Sequence, residues 1–172
     1  LHASQIQGFF NIPVDNLICS PVLLPNLQKL AKRGDVCITS PDVGGVVRAR
    51  HFAKKIESDL AIIDKRREKA GVSEVMNVIG DVEGKICIMV DDMVDSGGTL
   101  CNAAKALLNN GAAEVHAYAC HGVLSGGAVA RIAASDIKQM VLTDTIVATE
   151  ALRMSDNIEQ VSVAKFLGEA MA

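Results

Sequence analysis

Ile86-Cys87-Ile88-Met89-Val90-Asp91-Asp92-Met93-Val94-Asp95-Ser96-Gly97-Gly98-Thr99 joins a block of five apolar residues to two adjacent carboxylates and a small-residue turn. An apolar block without polar alternation belongs to a strand buried on both faces, the signature of a parallel sheet covered by helices. The same grammar recurs at Val36 to Thr39, Leu60 to Ile63, Val115 to Cys120 and Met140 to Leu142. Helix-length segments lie between several of these blocks. Ser20-Pro21 is expected to open one as N-cap and first-turn proline, running toward Ala31 and stopping at Gly34. Others are expected from about Gly45 to Ile56, from Gly98 to Asn110 with Gly111 as terminator, from a cap at Ser125, and from Val163 to Met171. Alternating strands and helices give an α/β fold built on a mostly parallel sheet flanked by helices.

The 172 residues suffice for one core, and no linker, repeat or low-complexity tract divides them. With 49% hydrophobic and 22% charged residues, intrinsic disorder is excluded. No apolar run approaches the ~18 residues needed to cross a bilayer, so a soluble, cytoplasmic protein without a membrane partner is expected. The first residue, Leu1, is not Met, which fits a trimmed chain or one part of a longer one. A net charge of −3, one Tyr and no Trp argue against nucleic acid as a partner. Positive charge gathers locally, with eight Lys/Arg against four Asp/Glu over residues 48–69, which suits a local anion site. The five cysteines are widely spaced without a C-x-x-C pair and read as reduced core thiols.

In a parallel sheet of this kind ligands bind in the turns beyond the carboxyl ends of the strands. Gly97 and Gly98 at a helix start let backbone N–H groups approach a phosphate, and Ser96 and Thr99 add hydroxyl donors. Asp91 and Asp92 repel one another unless a cation or a hydrogen-bonding diol is shared, and a ribose offers two adjacent hydroxyls. A pentose phosphate is therefore the natural ligand, although Asp95 beside a phosphate has no electrostatic rationale in the sequence. The competing structural reading is an acidic N-cap turn with glycines kept for packing. A second turn, Ser40-Pro41-Asp42-Val43-Gly44-Gly45, suits a diphosphate at a helix start; its lone Asp42 suits either Mg²⁺ held partly through water or plain turn stabilisation. Arg48 and Arg50, on the helix that follows, read as solvated positions. Residues 64–73 are the most polar stretch and read as a mobile loop, followed by a short excursion over Val75 to Ile79. Within that loop Lys65-Arg66-Arg67 reads on composition as a solvated basic run.

Val90 to Leu100 resembles the phosphoribosyl-diphosphate motif shared by type I phosphoribosyltransferases and ribose-phosphate diphosphokinases. Gln5 to Phe10, Pro13 to Asn16, Ser40 to Arg50, Ala61 to Arg67, Val78 to Gly84 and His121 to Gly126 are similar, in order, to the diphosphokinases alone. The resemblance spans almost the whole chain and corresponds to the carboxyl-terminal part of that enzyme. It implies a type I phosphoribosyltransferase-like domain over residues 1–172 that includes the end of a preceding domain, with a flexible catalytic loop near 64–74. It also implies transfer of a diphosphoryl group from ATP to ribose 5-phosphate with Mg²⁺, within a dimer-based homo-oligomer for which a hexamer is one option. The resemblance further implies Lys65 and Arg67 as catalytic residues, Arg67, Asp91, Asp92, Asp95, Ser96, Gly97, Gly98 and Thr99 as the ribose 5-phosphate site, and His2 and Asp42 as metal ligands. Asp15 would belong to a second cation site, but Asn11 stands where an Asp is common. His121 reads as structural or as part of a regulatory anion site, and His51 and His116 as ordinary packing or surface residues. The alternatives are a phosphoribosyltransferase that consumes the diphosphate and a non-catalytic regulatory homologue.

Overall fold

The computed structural model describes residues 2, 4–66 and 75–172 of the chain. After a short 3-10 helix over Ser4–Phe9 come α1 (Ser20–Ala31), β1 (Val36–Ser40), α2 (Val46–Ile56), β2 (Asp59–Arg66) and β3 (Val75–Ile79). They are followed by β4 (Ile86–Val94), α3 (Gly98–Asn109), β5 (Glu114–Gly122), α4 (Ala128–Ala133), β6 (Gln139–Thr143), α5 (Glu150–Arg153), β7 (Ile158–Val161) and α6 (Ala164–Met171). The strands form one sheet in the order β3-β2-β1-β4-β5-β6-β7. Every pairing is parallel except β2 with β3. The α/β class expected from the apolar blocks is the one observed.

Strand alternation divides the core into two layers. Ile86, Ile88 and Val90 of β4 pack with Leu23, Leu27 and Leu30 of α1 and Phe52 of α2. Cys87 and Met89, pointing the other way, pack with Leu100, Ala103 and Leu107 of α3 and Ile132 of α4. Residues apolar on both faces are what a strand between two helical layers requires, and Cys87, Ile88 and Met89 are 0% exposed.

Several boundaries differ from the sequence expectation, each for a local reason. Ser20 lies inside α1 rather than capping it, and its hydroxyl is engaged by His51 Nε2 at 3.1 Å. Ser125 does not cap α4 either: Gly127 precedes that helix, and the Ser125 hydroxyl is spent on Asp95. Lys65 is not in a loop, because β2 continues through Arg66 and pairs with β3, placing Lys65 opposite Met76. Of the loop expected at 64–74, residues 67–74, Arg67 included, lie outside the described residues. Asp91 and Asp92 belong to β4 itself, which runs to Val94 beside β5. The edge strand β7 was not legible in Ile158-Glu-Gln-Val161, where two polar residues interrupt the apolar pattern.

Candidate functional site

β1 and β4 are neighbours, but the chain leaves β1 toward β2 and leaves β4 toward β5, so the order of connection reverses between them. That reversal opens a crevice at the carboxyl ends of the two strands. The turns after β1 and β4 are those singled out in the sequence for phosphate chemistry.

The turn after β1 is closed by its own side chains. The hydroxyl of buried Ser40 donates to the Asp42 carbonyl at 2.6 Å, and Asp42 Oδ1 accepts the Gly45 N–H at 2.8 Å. Gly45 is required by space, since a Cβ there would stand 2.8 Å from Ser40 Oγ. Asp42 thus performs the turn-stabilising role. Its carboxylate remains exposed at the crevice.

α2 starts directly after this turn and carries Arg48 into the crevice. Arg48 Nη1 donates to Asp91 Oδ1 at 2.8 Å, and Nη2 lies 3.3 Å from Asp92 Oδ1. Consecutive strand residues ordinarily point to opposite faces. Here each carboxylate folds back to accept the next backbone N–H, Asp92 N to Asp91 Oδ1 at 2.8 Å and Met93 N to Asp92 Oδ1 at 2.9 Å, and both reach one guanidinium. His2 Nδ1 meets Asp92 Oδ2 at 2.5 Å. Arg48 is therefore part of the site and not the solvated helix position read from sequence, whereas Arg50 is exposed.

The two acids titrate differently. Burial pushes the Asp91 carboxyl up to about 6, with the hydrogen bond to Asp92 adding to the rise and the Arg48 charge opposing it. Burial also pushes Asp92 upward, but hydrogen bonds with His2 and Asp91 and the Arg48 charge hold it below the usual carboxylate range.

The turn after β4 is held from outside. Gly97 has a φ of 73°, the left-handed region that favours glycine, and a Cβ there would press within 3.2 Å of Ile132. Ser125 Oγ donates to Asp95 Oδ1 at 2.5 Å, Ser125 N donates to the Asp95 carbonyl at 3.1 Å, and Arg131 Nη1 donates to the Ser96 carbonyl. Asp95 thus acquires a role that its sequence context did not supply: it ties the β4 turn to the loop after β5. Gly97 offers no side chain to the first turn of α3, and none caps it. Backbone donors at a helix start are suited to an anion, with Ser96 and Thr99 alongside.

Lys65, at the carboxyl end of β2, is separated from β4 by β1 in the sheet. Its neighbour Arg67 lies outside the described residues. His2 sits with the acid pair, and no hydrogen bond or ion pair joins it to Asp42 among the described residues. Among those residues no group of three or more His, Cys, Asp or Glu converges on a point that could hold a metal ion. His121 Nδ1 pairs with Thr145 Oγ1 at 2.9 Å, and His116 is buried against Glu114. A cavity of about 290 Å³ adjoins the acid pair, and Arg48, Asp91, Asp92, Cys19, Cys120 and His121 are among the residues that line it. Arg48 and Arg131 are the two residues that sequence reasoning missed, since each acts on a partner 43 or 35 positions away. No helix among the described residues is long and apolar enough to cross a membrane.

The phosphoribosyl synthetase-associated domain matches residues 67–172. Ribose-phosphate pyrophosphokinase of Granulibacter bethesdensis is 62% identical over 99% of this chain and 55% of its own length. The protein of that name from Brucella melitensis is 60% identical over the whole chain and 56% of its own length. Phosphoribosylpyrophosphate synthetase from Mycobacterium smegmatis, a crystal structure, superposes with a TM-score of 0.90 at 36% identity, covering 99% of this chain and 55% of that one. The chain spans about half the length of these relatives.

Proposed function

Because the chain belongs to the phosphoribosyl synthetase-associated domain family, we propose that it carries the sugar-phosphate site of a ribose-phosphate diphosphokinase. The carrying observation is that Arg48 gathers Asp91 and Asp92 at the topological reversal, beside a turn that presents backbone donors at the start of α3. Asp91 and Asp92 accept hydrogen bonds from the ribose hydroxyls, and the Asp95–Thr99 turn holds the 5-phosphate through backbone N–H groups and the Ser96 and Thr99 hydroxyls. The anomeric hydroxyl so oriented attacks the β-phosphorus of ATP, giving phosphoribosyl diphosphate and AMP. Lys65 and Arg67, at and beyond the end of β2, stabilise charge growing on the transferred group.

Mg²⁺ fits this donor set in a particular way. Asp42 is fixed at its root by the Gly45 N–H and exposed at the crevice, and His2 stands at the acid pair, so protein ligands are few. Mg²⁺ ordinarily keeps several waters and binds through one or two carboxylates plus substrate phosphates, which matches such sparse ligation. When bound it supplies charge neutralisation at the phosphates. Exposed Phe9, Phe10, Ile12 and Ile18 near the amino end support the reading of a homo-oligomer, because such side chains are commonly covered by a neighbouring subunit.

The test is AMP formation from ATP by the full-length protein that contains this sequence. Dependence on both ribose 5-phosphate and Mg²⁺ supports the assignment. Release of diphosphate on adding a nucleobase to phosphoribosyl diphosphate would instead support a phosphoribosyltransferase. An inert protein that still binds ribose 5-phosphate would support a regulatory homologue.

A further inference from the structure

Where the carbonyls of the turn after β4 go decides where its N–H groups point. Leu124 N–H donates to the Val94 carbonyl at 3.1 Å, Ser125 N–H to the Asp95 carbonyl at 3.1 Å, and Arg131 Nη1 to the Ser96 carbonyl. Three successive carbonyls are thus taken up by one segment, the loop after β5 and the helix α4 that it leads into. A trans peptide carries its N–H opposite its C=O. The N–H groups of Asp95, Ser96 and Gly97 are therefore turned away from that segment, and β4 has β1 on its other side, where the crevice opens. Leu124 takes a left-handed φ of 53° to present these donors, a conformation that a leucine holds only when its surroundings fix it.

Two of the three donors are backbone, and the one side chain acts where the backbone is least decided. Gly97, at φ 73° and ψ −5°, has the angles of the third residue of a type II turn. Swinging the Ser96–Gly97 peptide over would convert them to those of a type I turn, with φ about −90°, and glycine adopts either without steric cost. In that alternative the Ser96 carbonyl, an acceptor, would take the place of the Gly97 N–H in front of an anion. Arg131 selects between the two: its Nη1 meets the carbonyl in the present orientation, and its Nη2 donates to the Gly126 carbonyl at 3.5 Å, so both ends of the guanidinium fork are engaged by loop carbonyls.

We propose that Arg131 is a positioning residue of the sugar-phosphate site, holding the Ser96 carbonyl on the α4 side so that the Gly97 N–H stays aimed at the 5-phosphate, which Arg131 itself does not touch. The inference rests on the assignment of ribose 5-phosphate to the Asp95–Thr99 turn. An orientation fixed before the ligand arrives lowers the cost of binding it.

Ribose 5-phosphate binding to the full-length protein is measured by calorimetry for wild type, Arg131→Met, Arg131→Gln and Arg131→Lys, beside kinetic constants and melting temperatures. Arg131→Met should weaken binding and raise the KM for ribose 5-phosphate about tenfold, in line with the loss of one charge-assisted hydrogen bond, while kcat at saturating sugar phosphate and the KM for ATP stay within about twofold. Arg131→Gln, two bonds shorter and still polar at an exposed position, should lose as much, so the result does not hang on the folding of the Met variant. Arg131→Lys, which keeps reach and a donor, should recover most of the affinity. The loss should also be the same from about 0.05 to 0.5 M KCl, because a short bond to a carbonyl is screened little. A loss that shrinks with salt would make Arg131 a direct charge on the phosphate, and a fall in melting temperature with affinity unchanged would make it structural; either overturns the proposal. If wild type binds no ribose 5-phosphate, the site assignment fails and the inference with it, whereas wild-type binding that Arg131→Met leaves intact removes the inference alone.

Discussion

The two ends of the sheet handle charge in opposite ways. At the amino end, ions are matched within the chain: Lys85 Nζ meets Asp59 Oδ2 at 2.7 Å and Asp81 Oδ2 at 3.0 Å. Glu114 is likewise met by Arg33 at 3.2 Å, Lys138 at 2.5 Å and His116 at 3.1 Å. At the carboxyl end, two adjacent carboxylates share one guanidinium and one imidazole, and a helix start offers donors that no side chain caps. Ions matched by their neighbours are the pattern of a structural network, while carboxylates crowded against burial are the pattern of a candidate ligand site. The difference predicts that substitutions at the carboxyl end change ligand chemistry with little loss of stability, and those at the amino end do the reverse.

The largest break in that comparison is expected at Lys65. Lys65→Ala in the full-length protein should lower turnover roughly 100- to 1,000-fold, the usual cost of removing one group that stabilises transition-state charge, with ribose 5-phosphate affinity nearly intact. A comparable loss of affinity in calorimetry would move Lys65 from the transferred group to the sugar site. Next comes the acid pair. Asp91→Asn combined with Asp92→Asn should weaken ribose 5-phosphate binding about 100-fold, since each hydrogen bond to a charged group contributes about 1.5–3 kcal/mol. The melting temperature should not fall, because the change also removes the repulsion and the desolvation that push Asp91 upward. Unchanged affinity would remove the ribose-diol assignment, and a large fall in melting temperature would make the pair structural.

Much of the carboxyl end was legible because its chemistry is local. The β4 block, the two carboxylates and the Gly97-Gly98 helix start are contiguous, as are Ser40, Asp42 and Gly45 of the opposing turn. What sequence did not disclose is what holds these pieces together. Arg48 had only an exposed-looking helix position to recommend it until α2 was laid across the end of β4. Asp95 lacked a purpose until the loop after β5 delivered Ser125 and Arg131 to the same turn. The charge density at Lys65 suggests a loop despite the apolar run before it, yet pairing with β3 carries β2 past β1 and through Arg66. The ion pairs of the amino end escaped for the same reason, as Lys85 and Asp59 meet only when β1 is inserted between their strands and the loop before β4 folds back.

A smaller effect, on the fold alone, is expected at Lys85. Lys85→Met should lower the melting temperature while ribose 5-phosphate affinity stays at the wild-type value, because it leaves Asp59 and Asp81 facing each other without their shared cation. Weaker sugar-phosphate binding in a folded Lys85→Met protein would show that the two ends of the sheet are coupled, contrary to the comparison.

The smallest effect is expected at Glu114, and it separates the ends by pH. Hydrogen bonds from Lys138 and His116, with the Arg33 charge, hold this carboxyl down at about 2, against a value of 4.5 when unperturbed. A carboxyl lowered in the folded state contributes stability above its unfolded value, and loses it as pH falls through the folded one. Glu114→Gln should therefore be less stable than wild type at pH 7 by about 1 kcal/mol, in line with a few partly exposed ion pairs. The gap should narrow from about pH 4.5 downward and close near pH 2. His116, lowered by its burial, makes the fold less stable as pH drops through its unfolded value near 6.5. It does not cancel in the difference, because the Glu114 charge opposes that lowering and Glu114→Gln removes it, so the gap widens slightly between about pH 6.5 and pH 4.5 before it narrows. A difference that stayed constant from pH 7 to pH 2 would mean that Glu114 acts through packing and not charge, and the matched ions of the amino end would then be ornamental to its stability.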